Sequence, residues 1–305
     1  MPLFPYDEFR YYSFGLRAGT RNLFANGFSL GAAKTIGKIT QPINIYTRFP
    51  EYYLFETAIR DYLRDIPGAG PVKILDVGSP KVLGLYLGFR TRAEVHLTDL
   101  SELNLDEYRI MWRSLARRAK GTAVFDLQDA RSLKCADGEF DIVYSMSVIE
   151  HIDGDEGDTR AVQEMLRVLK PGGLLVLSVP FGSRYAQQQI IGIVASSWKT
   201  HDSRPYFFQR IYDQAAFESR ILAPAGQLAN VALTTVWRKH RWLHRSLGYL
   251  NQNVRGALGF LNPVFSAAMN CSCTGFQNAF PVDYGELHSP RDIYGDLILV
   301  GRKRP

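Results

Sequence analysis

Between residues 70 and 180 the chain alternates short apolar runs with longer stretches of helical period. Val72–Val77 (VKILDV), Ala93–Leu97 (AEVHL), Thr122–Phe125, Phe140–Tyr144 (FDIVY) and Leu174–Val179 (LLVLSV) read as strands. After the first run Leu83, Leu85, Tyr86 and Leu87 set up a helical pattern, and after the second Leu103, Leu105, Ile110 and Leu115 set up another. Ser101 stands in front of that second helix as its N-cap. A further helix is predicted over Asp158–Leu169, stopped by Lys170-Pro171-Gly172-Gly173, where a proline cannot continue the helix and a glycine takes the left-handed turn. The run that follows is continuously apolar, as a strand covered on both faces requires. Strands spaced by helices in this way predict a parallel sheet with helices on both sides. Val231–Val236 and Asp296–Val300 read as two more strands, and Tyr46–Tyr53 (YTRFPEYY) leads into a helix ending near Leu63.

Composition narrows the class. Of 305 residues 46% are apolar and 22% charged, so the chain can bury a core. The length corresponds to about two domains at roughly 150 residues each, or to one large α/β domain with additions. No stretch reaches the roughly 18 unbroken apolar residues of a membrane-spanning helix. The start, MPLFPYDEFRYY, has neither the positive nor the apolar region of a signal peptide. Cys135, Cys271 and Cys273 are too few for a disulfide framework and suggest a reducing compartment. A cytoplasmic location is expected, with at most peripheral contact with a membrane.

The net charge of +6 is unevenly placed. Residues 9–50 hold six basic side chains (Arg10, Arg17, Arg21, Lys34, Lys38, Arg48) and no acid. Residues 221–282 hold five (Arg238, Lys239, Arg241, Arg245, Arg255), again with no acid, whereas 51–220 has 21 basic and 24 acidic residues. Two cationic flanks around an acidic centre point to an anionic partner such as phosphate, a lipid headgroup or an acidic glycan. They are too sparse for nucleic acid, which draws a denser stripe interleaved with stacking aromatics.

In an open parallel sheet a ligand lies outside the carboxyl ends of the strands, so the residues just after each run carry the information. Asp76, Gly78 and Ser79 follow the first strand, where a glycine permits close backbone approach and the next helix offers free N–H groups. Asp99, with Leu100 beside it, follows the second and is placed to accept from both hydroxyls of a ribose. Asp129-Ala130 follows the third, offering a carboxylate for an adenine amino group and a backbone N–H for a ring nitrogen. Ser145, Met146 and Ser147, then Glu150 and His151, follow the fourth. Three acids at three successive strand ends read as a nucleoside-binding crevice.

Residues 72–182 resemble the class I S-adenosylmethionine-dependent methyltransferases of the small-molecule type. The stretches that carry the resemblance are ILDVGS (74–79), VHLTDLS (95–101), QDARSL (128–133), ADGEFDIVYSMSVIEHI (136–152) and EMLRVLKPGGLLVLSVPFG (164–182). RPYFFQRIYDQAAFESRI (204–221) is similar to the segment after the fifth strand in methyltransferases of surface-glycan or lipid-linked sugar pathways. The resemblance implies a Rossmann-like, mostly parallel seven-stranded sheet whose last strand, from the closing DLILVGRK, runs antiparallel. It implies S-adenosyl-L-methionine as cofactor, with Asp76 and Gly78 on its methionine part and Asp99 on the ribose hydroxyls. It further puts Asp129 and Ala130 on the adenine, and Ser145 and Met146 near the sulfonium. The departure lies in the first loop: the family's Gly-x-Gly-x-Gly run is here Gly78-Ser79-Pro80-Lys81-Val82. Pro80 suits the first turn of a helix, so the turn can still form.

Methyl transfer is an in-line displacement whose rate comes largely from alignment, and a hydroxyl acceptor also needs a base with a pKa near 7. His201, in the loop after the fifth strand, and His151, after the fourth, are the two candidates. His240 and His244 sit four apart among Arg238, Lys239, Arg241 and Arg245, which fits a cationic surface helix better than a metal pair. Cys271 and Cys273 lack a partner pair for zinc. No metal is therefore expected.

Residues 1–66 are expected to form a helical, aromatic cap from which Arg48, Tyr52 and Tyr53 touch cofactor or acceptor. Residues 67–237 are the core, 238–290 a basic and apolar insertion, and 291–305 the closing strand. Within the insertion 256–282 carries no acid or base, and Leu258–Met269 could pack on the sheet edge or lie at a membrane surface. The expected reaction is O-methylation of a small or lipid-linked, anionic, glycan-type acceptor. Two other classes stay open: a non-catalytic module docking an anionic membrane or partner, and an NAD-dependent dehydrogenase, which would lack its Gly-x-Gly-x-x-Gly loop and leave Asp129 unexplained. Oligomeric state is not legible.

Overall fold

A computed structural model describes residues 48–66, 70–190, 205–238, 274–277 and 293–305, together with residues 14, 17, 18, 20, 21 and 24. Its chain order begins with helix α1 (Arg48–Asp65), followed by β1 (Lys73–Val77), α2 (Val82–Arg90), β2 (Glu94–Asp99), α3 (Glu102–Ala116) and β3 (Thr122–Leu127). β4 (Phe140–Met146), a single 3-10 turn (Ile149–His151), α4 (Gly157–Val168) and β5 (Leu169–Gly182) come next. The described remainder is β6 (Ala186–Ile190), β7 (Tyr206–Ile211), α5 (Gln214–Phe217), which runs on into a π-helical turn, then β8 (Leu228–Arg238), β9 (Thr274–Gln277) and β10 (Ile293–Lys303).

Eight strands form one sheet in the order β3-β2-β1-β4-β5-β10-β8-β9. β1 to β5 are mutually parallel. β10 enters antiparallel between β5 and β8, with Leu297 opposite Val179 on one side and Thr235 on the other. The expected mixed sheet with an antiparallel last strand is thus present. The eighth strand, β9, lies inside the segment read as an insertion and pairs antiparallel with β8. β6 and β7 form a separate two-stranded sheet.

Both faces of the central strands are apolar because both are covered. Ile74, Leu174 and Val176 point into a cluster with Tyr52, Phe55 and Ile59 of α1, Leu83 and Leu87 of α2, and Met111 and Leu115 of α3. Their sequence neighbours Leu75, Leu175 and Leu177 point the other way, onto Ala161, Val162, Met165 and Leu166 of α4. Alternation between two dry faces is what turns a strand into an unbroken apolar run. α3 separates the same way: Leu105 and Leu115 are buried, whereas Leu103 and Ile110, counted in the apolar pattern, face solvent. Ser101 caps this helix, its hydroxyl accepting from Asn104 N. At the KPGG segment α4 ends at Val168 and the chain passes directly into β5 through an irregularity opposite β4, with Gly172 at φ +74 supplying the left-handed turn.

Candidate active site

The hollow that matters opens at the carboxyl ends of β1, β2, β3 and β4 and measures about 490 Å3, within the usual range of about 300–1,000 Å3 for small-ligand sites. Val77 and Gly78 at the end of β1, Asp99 and Leu100 at the end of β2, Asp129, Ala130 and Arg131 after β3, and Ser147, Val148 and His151 after β4 line it. Leu100 is 71% exposed, an apolar side chain left uncovered at the mouth.

Local structure explains each placement. Gly78 holds φ +72, and a Cβ there would sit 2.7 Å from Val148 Cγ1, so only glycine lets the β1 loop pass so near the opposite wall. Asp99 is held from two sides, its Oδ1 accepting from Ser101 N (3.0 Å) and its Oδ2 from Asn104 Nδ2 (2.7 Å). Each carboxylate oxygen keeps a lone pair beyond these bonds, enough for two hydroxyl donors. Asp129 is forked by Arg131, with Nε 3.0 Å from Oδ1 and Nη2 2.6 Å from Oδ2. Hydrogen bonding to Arg131 holds the Asp129 carboxyl below its ordinary range, outweighing partial burial.

Asp76, Ser79, Ser145 and Met146, expected at the cofactor, are buried and lie outside the lining of this hollow. Asp76 is fully buried and accepts from Tyr144 Oη (2.8 Å), Ser79 N (2.8 Å) and Lys81 Nζ (3.3 Å). Burial pushes its carboxyl up, against the pull of Lys81 and of the Tyr144 and Ser79 hydrogen bonds. Ser145 donates to the Val77 carbonyl (3.0 Å) and Ser79 Oγ accepts from Met146 N (2.9 Å). These bonds tie the β1 and β4 ends together so that the loops above them are fixed.

His151 is on the wall. Its Nδ1 lies 2.7 Å from the Phe208 carbonyl oxygen of β7, and its Nε2 lies 3.6 Å from Oε1 of the buried Glu150. Because a carbonyl can only accept, Nδ1 is the donor in this bond, so that in the neutral form of the ring the lone pair lies on Nε2. His201 falls outside the described residues, as do His240, His244, Cys271 and Cys273. Of the expected acceptor contacts, Tyr52 is 2% exposed and packs in the core against the sheet, because its place on α1 faces inward. Tyr53 is half-buried on α1 and does not line this hollow, and the side chain of Arg48, which opens α1, is outside the described residues.

Two residues matter more than their sequence context suggested. Glu51 of α1 is fully buried, its Oε1 accepting from Ser147 Oγ (2.8 Å) and Ser178 Oγ (2.6 Å). Ser147 sits at φ +48, a left-handed conformation that a non-glycine residue holds only under constraint, and the Glu51 bond is part of that constraint. Lys81, in the loop that departs from the glycine-rich pattern, is 1% exposed, with Nζ 2.6 Å from the Ser79 carbonyl oxygen and 3.9 Å from Asp99 Oδ2.

Behind His151 a second charged group fixes the wall. Asp158, fully buried, accepts from Tyr212 Oη (2.6 Å) and from Arg220 Nε (2.9 Å) and Nη2 (2.7 Å). Arg210 donates to the carbonyls of Ile152 and Gly154. This network clamps β7 and the π-helical turn onto the chain between the 3-10 turn and α4.

Residues 75–177 match the family described as methyltransferase domain. Among solved structures, a SAM-dependent methyltransferase from Methanosarcina mazei is 15% identical, covering 81% of this chain and 96% of that one at a TM-score of 0.48. The YcgJ protein of Bacillus subtilis is 14% identical over 82% of this chain and 99% of that one, with a TM-score of 0.45. Phosphoethanolamine N-methyltransferase 2 of Haemonchus contortus, solved with S-adenosyl-L-methionine, is 16% identical over 82% of this chain and 53% of that one, with a TM-score of 0.45.

Proposed function

We propose that this chain, whose residues 75–177 match the methyltransferase domain family, is a class I S-adenosylmethionine-dependent enzyme that moves a methyl group onto a hydroxyl oxygen of a small or lipid-linked, anionic, glycan-type acceptor. S-adenosyl-L-methionine is the cofactor of this domain. The observation that carries the reading is the convergence of Asp99 and Asp129, from consecutive strand ends, on one hollow whose wall also holds His151. The lining fits an adenosine: two acceptors on Asp99 for ribose hydroxyls, a carboxylate on Asp129 for an exocyclic amine, and Leu100, Val148 and Ile152 as apolar cover.

When bound, the cofactor supplies a methyl carbon made electrophilic by its sulfonium. The chain's own contribution is alignment and removal of one proton. Nε2 of His151 would take the acceptor's hydroxyl proton, since Nδ1 is committed to the Phe208 carbonyl. Glu150 Oε1, 3.6 Å away, would offset the imidazolium charge that results. His201 is the second candidate base.

The acid-free basic flanks support an anionic acceptor or an anionic surface near it. Arg17 and Arg21 lie with Arg90 around a separate hollow of about 290 Å3 at the C-terminal end of α2, the opposite end of the sheet from the adenosyl cavity. That position suits docking on an anionic surface better than contact with the reacting hydroxyl. No helix among the described residues is long and apolar enough to cross a membrane.

The test is transfer of labelled methyl from S-adenosylmethionine to a panel of anionic glycans and lipid-linked sugars, in wild type and His151→Gln. Glutamine can still donate to the Phe208 carbonyl but cannot serve as a base. A kcat lower by about 10²–10⁴-fold is expected, with S-adenosylhomocysteine affinity within threefold of wild type. Transfer to nitrogen, or an unchanged kcat, contradicts the assignment. One observation favours a second reading, a non-catalytic module: Lys81 already fills acceptors at the end of the β1 loop. Its mark would be a folded protein that binds no S-adenosylhomocysteine.

A further inference from the structure

Among the described residues, eight cations that pair with no acid gather at the end of the sheet where β2 and β3 begin. Arg17, Arg21 and Arg90 rim the hollow at the end of α2, over Phe14, Tyr86, Phe89 and Leu115. Arg92, Arg113, Arg117, Arg118 and Lys120, all exposed, come from the last turn of α3 and the loops leading into β2 and β3. The end of α2 and the loop after α3 are bonded to each other, Lys120 N donating to the Phe89 carbonyl (3.2 Å) and Gly121 N to that of Gly88 (3.0 Å). The two sources of charge are therefore one surface.

The sequence shows why no acid answers them: residues 81–93 and 108–125 contain no Asp or Glu, nor do residues 9–50. Glu94, Glu139 and Asp141, which also stand at the amino ends of strands, engage Lys73 and Lys170 instead. Helix polarity accounts for part of the set. Arg90 and Arg113 sit in the last turns of α2 and α3, where a cation offsets the helix dipole. Arg92, Arg118 and Lys120 lie beyond those helix ends, and Arg17 and Arg21 belong to another segment. Like charges so placed repel one another, and an anionic partner relieves that cost.

Two features choose the partner. Phe14 packs on Tyr86 and on Phe89, with ring centroids 5.5 Å apart in both cases. The described part of the patch thus offers nucleic-acid bases no row of open aromatic faces. Phe24, 73% exposed, follows Arg17 and Arg21 at helical spacing and so shares their face. A ring among cations suits the boundary between lipid headgroups and acyl chains. We infer that this end of the molecule docks on an anionic lipid bilayer, a partner that is usually met by clusters of about four to eight basic residues. The inference does not depend on the methyl-transfer reading. β2 and β3 are six residues long, so a docked chain holds the hollow at their carboxyl ends about 20 Å further from the lipid and facing away. A lipid-linked acceptor reaches it only with a part that stands off from the bilayer by that distance.

Co-sedimentation of the full chain with vesicles of equal parts phosphatidylglycerol and phosphatidylcholine tests it. Binding is expected at low salt, with none to phosphatidylcholine alone, and it should vanish at about 1 M salt, where the screening length is about 3 Å. Each cation near such a surface contributes about fivefold. Arg117→Gln, Arg118→Gln and Lys120→Gln together should therefore weaken binding about 100-fold, with Tm unchanged because all three are exposed. Should that variant not fold, Arg92→Gln with Arg113→Gln carries the same test, with a loss of about 25-fold. Lys134→Gln, Arg160→Gln and Arg184→Gln, at exposed positions elsewhere, remove the same net charge as the first variant and should weaken binding less than about fivefold. Equal losses in the patch and control variants, or a wild type that does not bind anionic vesicles, overturn the inference. A wild type that binds a labelled RNA duplex but no vesicle gives the patch to nucleic acid and overturns it as well.

Discussion

Asp76 and Lys81 form a buried pair, and buried pairs behave differently when one partner is removed and when both are. Lys81→Met leaves the Asp76 carboxylate without its cation in a dry site, at a cost of about 3–5 kcal/mol. Replacing the two together, as Asp76→Asn with Lys81→Met, removes both desolvation penalties and should leave stability near wild type or above it. Urea unfolding of the single and double variants measures this, and a double variant as damaged as the single would show that the pair contributes net stability. At this scale the sequence told part of the story. Asp99 and Asp129 were legible because an acid following an apolar run has only one place to go in a parallel sheet. Asp76 followed the same rule, yet it ended buried outside the lining of the hollow. The difference lies in partners far along the chain, Tyr144 and the back-folded Lys81, which no local pattern announces. Glu51 was missed for the same reason: its partners, Ser147 just after β4 and Ser178 within β5, are reached only in three dimensions.

Among the elements, the turns at the strand ends carry the geometry. Gly78→Ala would force a non-glycine residue into φ +72 and drive its Cβ to 2.7 Å from Val148 Cγ1. The left-handed conformation alone costs about 1–2 kcal/mol, and the added methyl narrows the cavity, so both denaturation midpoint and S-adenosylhomocysteine affinity should fall. An alanine variant with wild-type values for both would mean that the loop relaxes freely. The clamp at Asp158 makes a pH prediction. Burial pushes its carboxyl up, but hydrogen bonds from Arg220 and Tyr212 and the charge of Arg210 more than offset this, so it titrates below its ordinary range. A depressed carboxyl stabilises the fold in full above its unfolded value of about 3.9, and the contribution is lost as pH falls through the folded value. Asp158→Asn should therefore lower Tm at pH 7 and make Tm less sensitive to acid below about pH 4. Equal acid sensitivity in both proteins would place the titrating group elsewhere. Strands and helices of the central block were readable because burial on two faces writes itself as unbroken apolar runs. β6 (AQQQI) was not, since a polar strand of a two-stranded sheet has no such mark.

At the scale of the whole molecule, the parallel half of the sheet follows from local pattern while the other half follows from long-range pairing. β10 closes the structure by inserting between β5 and β8, joining Leu299 to Leu177 and Leu233. Its apolar character was visible, and its antiparallel direction came from the family resemblance. The edge strand β9, four residues inside a segment without charge, was read as insertion because nothing local distinguishes it. The fold as a whole thus presents one face, the carboxyl ends of β1 to β4, where backbone loops, two outward acids and a fixed imidazole meet. The claim on which the rest depends is that this face holds an adenosyl group by Asp99. Calorimetric titration of S-adenosylhomocysteine into wild type and Asp99→Ala tests it most directly. The account predicts one-to-one binding by the wild type and a loss of about 1–3 kcal/mol, roughly ten- to a hundredfold, in the variant. Equal affinity in the two proteins, or no binding by a folded wild type, would contradict it.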